Sequence, residues 1–289
     1  MTTAAPPRSW PDNGDEQVTA EREETKYLLP ADRLEGFAAA LTNRMAPHRF
    51  TGDGANRLPG AHHFITTVYF DTPSRSHLRA AATNPGHSVK IRAKEYYDIH
   101  PSLAELATDP RQIVRYQPWL WFELKRREGT HTSKRRFRLP KTDVPSFFGE
   151  GRVTPRARQG LNDGGHEGRN DDGLQEIADY CSSLDEQLAA TCLVNYRRLS
   201  WQEPDASLRV TMDLGLAYYA VPADLWTRRQ ALVRTTLGPV RGKEGHAVIE
   251  VKRVAALPAW LEEALAQSGA APDPFSKFVA AGRTVLGDG

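Results

Sequence analysis

Lysine and arginine recur at every second position in several short apolar runs, and that spacing is the first feature of this chain that could do chemistry. The clearest case is Trp119 to Leu139, WLWFELKRREGTHTSKRRFRL. In its first run Trp119, Trp121, Glu123, Lys125 and Arg127 share one phase, and Leu120, Phe122 and Leu124 share the other. In its second run Lys134, Arg136 and Arg138 stand opposite Phe137 and Leu139. A period of two places alternate residues on opposite faces of a strand. Gly129 supplies a turn between the runs, so the stretch reads as a hairpin with an apolar face and a cationic face broken by Glu123. Cations collected in this way suit an anion with many oxygens. Arginine forks bind phosphate oxygens bidentately, and lysine acts as a point charge.

The elements that would position these residues can be read in order. Arg22, Glu24 and Lys26 alternate with Thr25, Tyr27 and Leu29 in a first strand. Leu34, Phe37, Ala38 and Leu41 have helical spacing between Pro30 and Met45, and residues 46–63 read as a loop. Phe64–Asp71 is β-branched and aromatic, with Thr67, Tyr69 and Asp71 as its polar phase. Thr72–Gly86 reads as a turn and an irregular stretch. Lys90, Arg92 and Lys94 face away from Val89, Ile91 and Ala93, and residues 95–118 have room for a short helix. After the hairpin, residues 150–173 are poor in apolar side chains and are predicted to be a disordered insertion. Leu174–Leu188 reads as a helix. Leu193–Trp201 carries Tyr196, Arg198 and Ser200 in one phase, and Arg209, Thr211 and Asp213 alternate with Leu208, Val210 and Met212. Glu250 and Lys252 stand against Ala247, Ile249 and Val251, and helices follow at 258–267 and 273–286. Residues 1–18 are predicted to be a disordered tail, leaving 19–287 as one domain.

Composition bounds what this can be. The 289 residues are 39% hydrophobic and 26% charged, with a formal net charge of +2, so any preference for a polyanion must come from local clustering. The two cysteines, Cys181 and Cys192, have no metal-ligand spacing and point weakly to a reducing compartment. No run approaches the roughly 20 apolar residues of a membrane span, and the N-terminus has no apolar signal core. A soluble cytoplasmic protein is expected.

At least seven strands thus carry a polar phase. Periodicity alone favours ordinary two-layer sheets with their charge in solvent. The other solution is a closed antiparallel barrel whose lumen is polar, with helices covering the apolar outer faces. Unpaired cations in such a lumen are costly, so it must hold water, counter-acids or an anionic ligand. The acids on the same phases are Glu24, Glu123, Asp213 and Glu250, and Glu250 above all could hold a divalent metal bridging phosphate oxygens.

Nine short motifs occur in a definite order: Arg22-x-Glu24-x-Lys26-Tyr27, Thr67-Val-Tyr69-Phe-Asp71-Thr72, Lys90-Ile-Arg92, Glu123-Leu-Lys125, Lys134-Arg135-Arg136, Tyr196-Arg-Arg198, Leu208-Arg209-Val-Thr-Met-Asp213, Glu250-Val-Lys252 and Phe275-Ser276-Lys277-Phe278. Together they resemble the VTC (vacuolar transporter chaperone) domain, a branch of the triphosphate tunnel metalloenzymes, over about residues 20 to 287. The resemblance implies an α+β fold: an eight-stranded antiparallel β-barrel with helices packed outside. It implies polymerisation of inorganic polyphosphate from the terminal phosphate of ATP, with Mn2+ or Mg2+. By position, Lys26, Arg92, Lys125, Arg198 and Arg209 would carry the catalytic charge. Lys90, Lys134, Arg136, Lys252, Ser276 and Lys277 would bind substrate, and Glu250 and Glu24 the metal. Ser276 and Lys277 would open the last helix, where an N-terminus favours an anion.

Tunnel triphosphatases of the related CYTH branch, with adenylate cyclase and thiamine triphosphatase relatives, carry Glu-x-Glu-x-Lys in their first strand. Here Arg22 takes the first acidic position, which weakens a two-metal hydrolytic site and favours the VTC branch. A tunnel triphosphatase and a non-catalytic polyphosphate or nucleotide sensor are the alternative functions. Eukaryotic relatives add a regulatory domain and membrane helices, and this sequence carries neither, so a membrane partner that draws the product away stays an open requirement. Other signals are weaker. Gly238–Glu244 is one residue short of a phosphate loop and lacks its Ser/Thr, so it reads as a plain loop. His62 and His63 have no metal-ligand companions. Trp119, Trp121, Tyr96 and Tyr97 could stack on an adenine, although strand aromatics are usually core. The basic runs alternate with apolar residues, which argues against nucleic acid.

Overall fold

The computed structural model describes residues 23–48, 62–97, 118–129, 131–150 and 169–287. The expected tail, Arg22, the helix considered within 95–118 and residues 151–168 of the expected insertion lie outside the described residues. The strands are β1 (Glu23–Pro30), β2 (Ala46–Pro47), β3 (His62–Asp71), β4 (His87–Tyr97), β5 (Trp119–Glu128), β6 (His131–Pro140), β7 (Ala189–Gln202), β8 (Leu208–Tyr219), β9 (Val240–Lys243), β10 (His246–Arg253) and β11 (Ala271–Pro272). The helices are α1 (Leu34–Thr42), α2 (Ser76–Thr83), α3 (Val144–Glu150), α4 (Arg169–Ser182), α5 (Ala259–Gln267) and α6 (Lys277–Leu286). No helix among the described residues is long and apolar enough to cross a membrane.

Among the described residues the protein is α+β, and its strands belong to a large antiparallel sheet. The chain divides into two compact units: Met1–His62, Arg198–Leu214 and Gly245–Phe275 form the first, and His63–Arg197, Gly215–Glu244 and Ser276–Gly289 the second. In the first unit the strand order is β11-β1-β10-β8, and in the second β7-β3-β4-β5-β6. Among the described residues the sheet path ends at β11 and at β6, so closure into an eight-stranded barrel is not seen.

Each unit buries the apolar phase of its strands under helices. In the first, Leu29, Val210, Met212, Ile249 and Val251 meet Phe37 and Leu41 of α1 and Leu261 and Leu265 of α5. Their spacing of four along each helix puts each pair on one apolar stripe. In the second, Phe70, Phe122, Leu124, Phe137 and Leu139 pack with Phe147 and Phe148 of α3 and with Leu174 and Ile177 of α4. Phe122 stacks on Phe137 at 5.2 Å and Phe70 on Phe148 at 4.4 Å between ring centroids, geometry that adds to the area buried.

Several segments differ from the sequence reading. Helix α4 begins at Arg169, inside the predicted insertion, and β2 and the first two residues of β3 fall within the expected loop 46–63. Thr72–Gly86 is not irregular: it contains α2. The buried Asp71 carboxylate accepts hydrogen bonds from the backbone N–H groups of Thr72 (2.8 Å), His77 (3.0 Å) and Leu78 (2.9 Å), supplying orphan donors of the first turn with an acceptor from outside the helix. Residues 240–243 are not a loop but strand β9, paired with β8. A Cβ on Gly242 would lie 2.5 Å from Thr284 Cγ2 of α6, so close helix packing, not a phosphate cradle, explains that glycine. The last helix begins at Lys277 instead of residue 273, with Ser276 as its cap.

Candidate functional site

Register fixes which polar side chains stand together, because directly opposed residues of paired strands share a face. On β4, β5 and β6 of the second unit, Lys90, Lys125 and Lys134 are directly opposite one another. The next row on that face is Arg92, Glu123 and Arg136, and the one beyond it Lys94, Trp121 and Arg138.

Glu123 is the hub of this face. It is 2% exposed. Arg92 Nε donates to its Oε2 at 2.6 Å, Lys94 Nζ lies 3.1 Å from the same oxygen, and Arg136 Nε lies 3.6 Å from Oε1. Burial alone would raise the carboxyl pKa, but Arg92, Lys94, Arg136 and Lys134 together hold it well below the usual carboxylate range. Burial likewise works against the Arg92 charge, and Glu123 overrides it, so the guanidinium pKa is raised well above its usual value. The lysine row lies one step along the strands from Glu123. Like charges directly opposite on neighbouring strands destabilise a sheet, and an anion that spans the three lysines would relieve that repulsion.

Ser276 and Lys277 reach the same unit from α6. Ser276 Oγ accepts from Val279 N at 3.4 Å, capping the helix, and from Lys90 Nζ at 3.1 Å. Lys277 is 8% exposed, with its Nζ 5.2 Å from the Tyr196 ring centroid. Tyr69 is buried and stacks on Phe278 at 4.9 Å. Burial pushes its hydroxyl pKa up, against the pull of Arg92 and Lys277.

The first unit has its own polar face on β1, β10 and β8. Lys26, Glu250 and Thr211 form one row, and Glu24, Lys252 and Arg209 the next. Lys26 Nζ donates to the Phe275 carbonyl at 2.9 Å and lies 3.8 Å from Glu24 Oε1. Arg198 grips the fully buried Asp213 through two parallel bonds, Nε to Oδ1 at 2.6 Å and Nη2 to Oδ2 at 2.7 Å. Its Nη2 also lies 3.5 Å from Glu250 Oε2. Charges here are largely matched.

Every candidate residue from the sequence lies among the described residues. Glu24, Lys26, Arg198, Arg209, Glu250 and Lys252 gather on the first unit's face; Lys90, Arg92, Lys125, Lys134, Arg136, Ser276 and Lys277 belong to the second unit. Among the described residues no group of three or more His, Cys, Asp or Glu could hold a metal ion. Glu24 and Glu250 are diagonal neighbours across β1 and β10. Two carboxylates fit a cation that takes most of its ligands from phosphate oxygens and water, and do not make a protein-only cage.

Sequence reasoning passed over three buried polar groups. Lys94 shares the phase of Lys90 and Arg92, so alternation alone could have nominated it. Lys141 and Glu95 form a sealed ion pair at 2.5 Å, and Glu95 Oε1 also accepts from Leu232 N at 3.2 Å. Burial lowers the Lys141 pKa although Glu95 opposes it. His77 bridges Asp71 (Nδ1 to Oδ1, 2.8 Å) and the Tyr180 hydroxyl (Nε2, 2.7 Å). Burial favours a neutral Asp71, but hydrogen bonds from His77, Leu78 and Thr72 bring its pKa below the ordinary value. Both groups pin backbone to core, and no signal of spacing marks either.

Three comparisons bear on these faces. The family model described as the VTC domain matches residues 21–286. No curated protein sequence matches the chain. Among solved structures, a candidate adenylate cyclase from Bacillus halodurans is similar with 13% identity and a TM-score of 0.44, covering 89% of this chain and 96% of that one. A second candidate adenylate cyclase, from Vibrio parahaemolyticus, has 9% identity and a TM-score of 0.40, covering 91% of this chain and all of that one. At that distance neither likeness bears on activity.

Proposed function

Because this chain belongs to the VTC domain family, we propose that it is a metal-dependent phosphotransferase that extends inorganic polyphosphate from ATP. The observation that carries this reading is the register that sets Lys90, Lys125 and Lys134 side by side, with Lys90 Nζ 3.1 Å from Ser276 Oγ at the start of α6. A chain of phosphates is a ligand whose evenly spaced oxygens match such a row. The terminal oxygen of the growing chain attacks the γ-phosphorus of ATP; a new P–O bond forms as the bond to the β–γ bridging oxygen breaks, and ADP leaves. Such a transfer needs little covalent help from the protein, only alignment and charge neutralisation.

Lys90, Lys125 and Lys134 would hold phosphate oxygens, with Arg92 and Arg136 kept in place by Glu123. Ser276 and Lys277 would contact phosphate at the α6 N-terminus. In the first unit Lys26, Arg198, Arg209 and Lys252 would do the same work. Glu250 and Glu24 would hold Mn2+ or Mg2+, which when bound neutralises phosphate charge. The closed eight-stranded barrel expected from the sequence is part of this proposal.

Incubation with ATP and manganese, followed by gel staining, tests it. Long polyphosphate chains are the expected product. Orthophosphate alone would make the protein a triphosphatase, and tight binding without turnover would make it a sensor. Glu250→Ala is expected to abolish metal-dependent turnover and retain phosphate binding; full activity in that variant would remove Glu250 from the metal role.

A further inference from the structure

Beyond the phosphate rows, the polar face of β4–β6 changes character along the strand. Trp119, Arg138, Trp121, Arg136 and Tyr96 form a ladder in which aromatic rings and guanidinium groups alternate. Arg138 Cζ lies 5.4 Å from the ring centroids of both Trp119 and Trp121. Arg136 Cζ lies 4.4 Å from Trp121 and 5.9 Å from Tyr96, whose hydroxyl accepts from Arg136 Nη2 at 3.1 Å. All five side chains are partly exposed, so they are not core. Arg136 is tied to Glu123. Arg138 is different: among the described residues its guanidinium has ring faces for company and no carboxylate. Burial lowers its pKa with nothing opposing. Five N–H donors between two indoles, with no acceptor supplied, call for an anion beside a flat ring.

We propose that this ladder is the nucleoside end of the binding site, taking the base of a nucleoside triphosphate on the indoles and its α-phosphate on Arg138. The inference rests on the phosphotransferase reading above and deepens it, because it assigns the nucleoside end of the donor to named residues and sets the donor's direction. Lys125 and Trp121 are four residues apart on β5, roughly 13 Å along the strand, a span comparable with an extended triphosphate and its sugar. The terminal phosphate therefore lies on the lysine row by Ser276, and the base at the Trp119 end. Stacking on indole tolerates any base, since every base has a π-face. ATP and GTP are expected to bind alike.

Calorimetry on the full chain with ATP and with tripolyphosphate separates the outcomes. ATP is expected to bind about tenfold tighter than tripolyphosphate, the scale of one base stacked on an aromatic ring. Trp121→Leu and, separately, Trp119→Leu should remove most of that preference and leave tripolyphosphate affinity within about twofold. Indole fluorescence of the unaltered protein, quenched by ATP and not by tripolyphosphate, gives a readout that needs no variant. Tripolyphosphate binding with no preference for ATP and no quenching would overturn this inference alone. Binding of neither ligand would overturn the phosphotransferase reading as well.

Discussion

On β1, β10 and β8, Lys26, Arg209 and Lys252 stand among Glu24, Glu250 and Asp213, with Arg198 gripping Asp213. On β4, β5 and β6, Glu123 is the one carboxylate in rows that hold Lys90, Arg92, Lys94, Lys125, Lys134, Arg136 and Arg138. Both faces are made by the same device, a strand with alternating apolar and charged residues. They differ in how acids are spread among the cations. The first face sets Glu24, Glu250 and Asp213 among Lys26, Arg198, Arg209 and Lys252. The second gathers three cations on the single buried Glu123, next to the row Lys90, Lys125 and Lys134. Like charges directly opposite cost a sheet stability, and a polyanionic ligand spanning them would offset that cost.

The comparison can be broken at Glu123. Glu123→Ala leaves Arg92, Lys94 and Arg136 without their shared acid and is expected to cost about 3–5 kcal/mol in urea denaturation. Glu24→Ala, on the matched and more exposed face, should cost under about 1 kcal/mol. Saturating tripolyphosphate should restore part of the loss in Glu123→Ala, because the ligand stands in for the missing acid; no recovery would mean that the cations do not face a ligand.

A pH titration sharpens the same point with a smaller effect. The folded-state pKa of Glu123 is depressed, so its contribution is present above the unfolded carboxylate value, about 4.3, and is lost as pH falls from there towards the lower folded value. Glu123→Gln should therefore show a flatter decline in stability below about pH 4.3 than the unaltered protein; identical slopes would contradict the depressed pKa.

A further effect is expected at the end of β3. Asp71→Asn weakens the cap on α2 and should cost about 1–2 kcal/mol, with tripolyphosphate affinity unchanged. A large loss of affinity would mean that α2 helps to shape the phosphate site.

Legibility in the sequence followed the same physics. Alternation exposed β1, β4, β5, β6, β8 and β10, because each buries one face and wets the other, and it put Lys90, Arg92, Lys125, Lys134 and Arg136 together on one phase. It could not show register. That Lys90 stands opposite Lys125, and Arg92 opposite Glu123, depends on pairing β4 with β5 across some twenty residues of sequence, and the hairpin's register of Lys125 with Lys134 and Glu123 with Arg136 depends on the exact turn. Helix α2 was invisible because its cap, Asp71, belongs to the preceding strand, and β9 because four short residues carry no period. The Glu95–Lys141 pair was hidden for a similar reason: both are ordinary surface types until tertiary packing seals them.

The central claim is that the lysine row on β4–β6 grips phosphate, and calorimetry of tripolyphosphate against a protein carrying Lys90→Ala, Lys125→Ala and Lys134→Ala tests it most directly. With each charged contact contributing about 1.5–3 kcal/mol, affinity should fall at least about a hundredfold while the fold is retained; a properly folded variant that binds within about threefold of the unaltered protein would contradict the account.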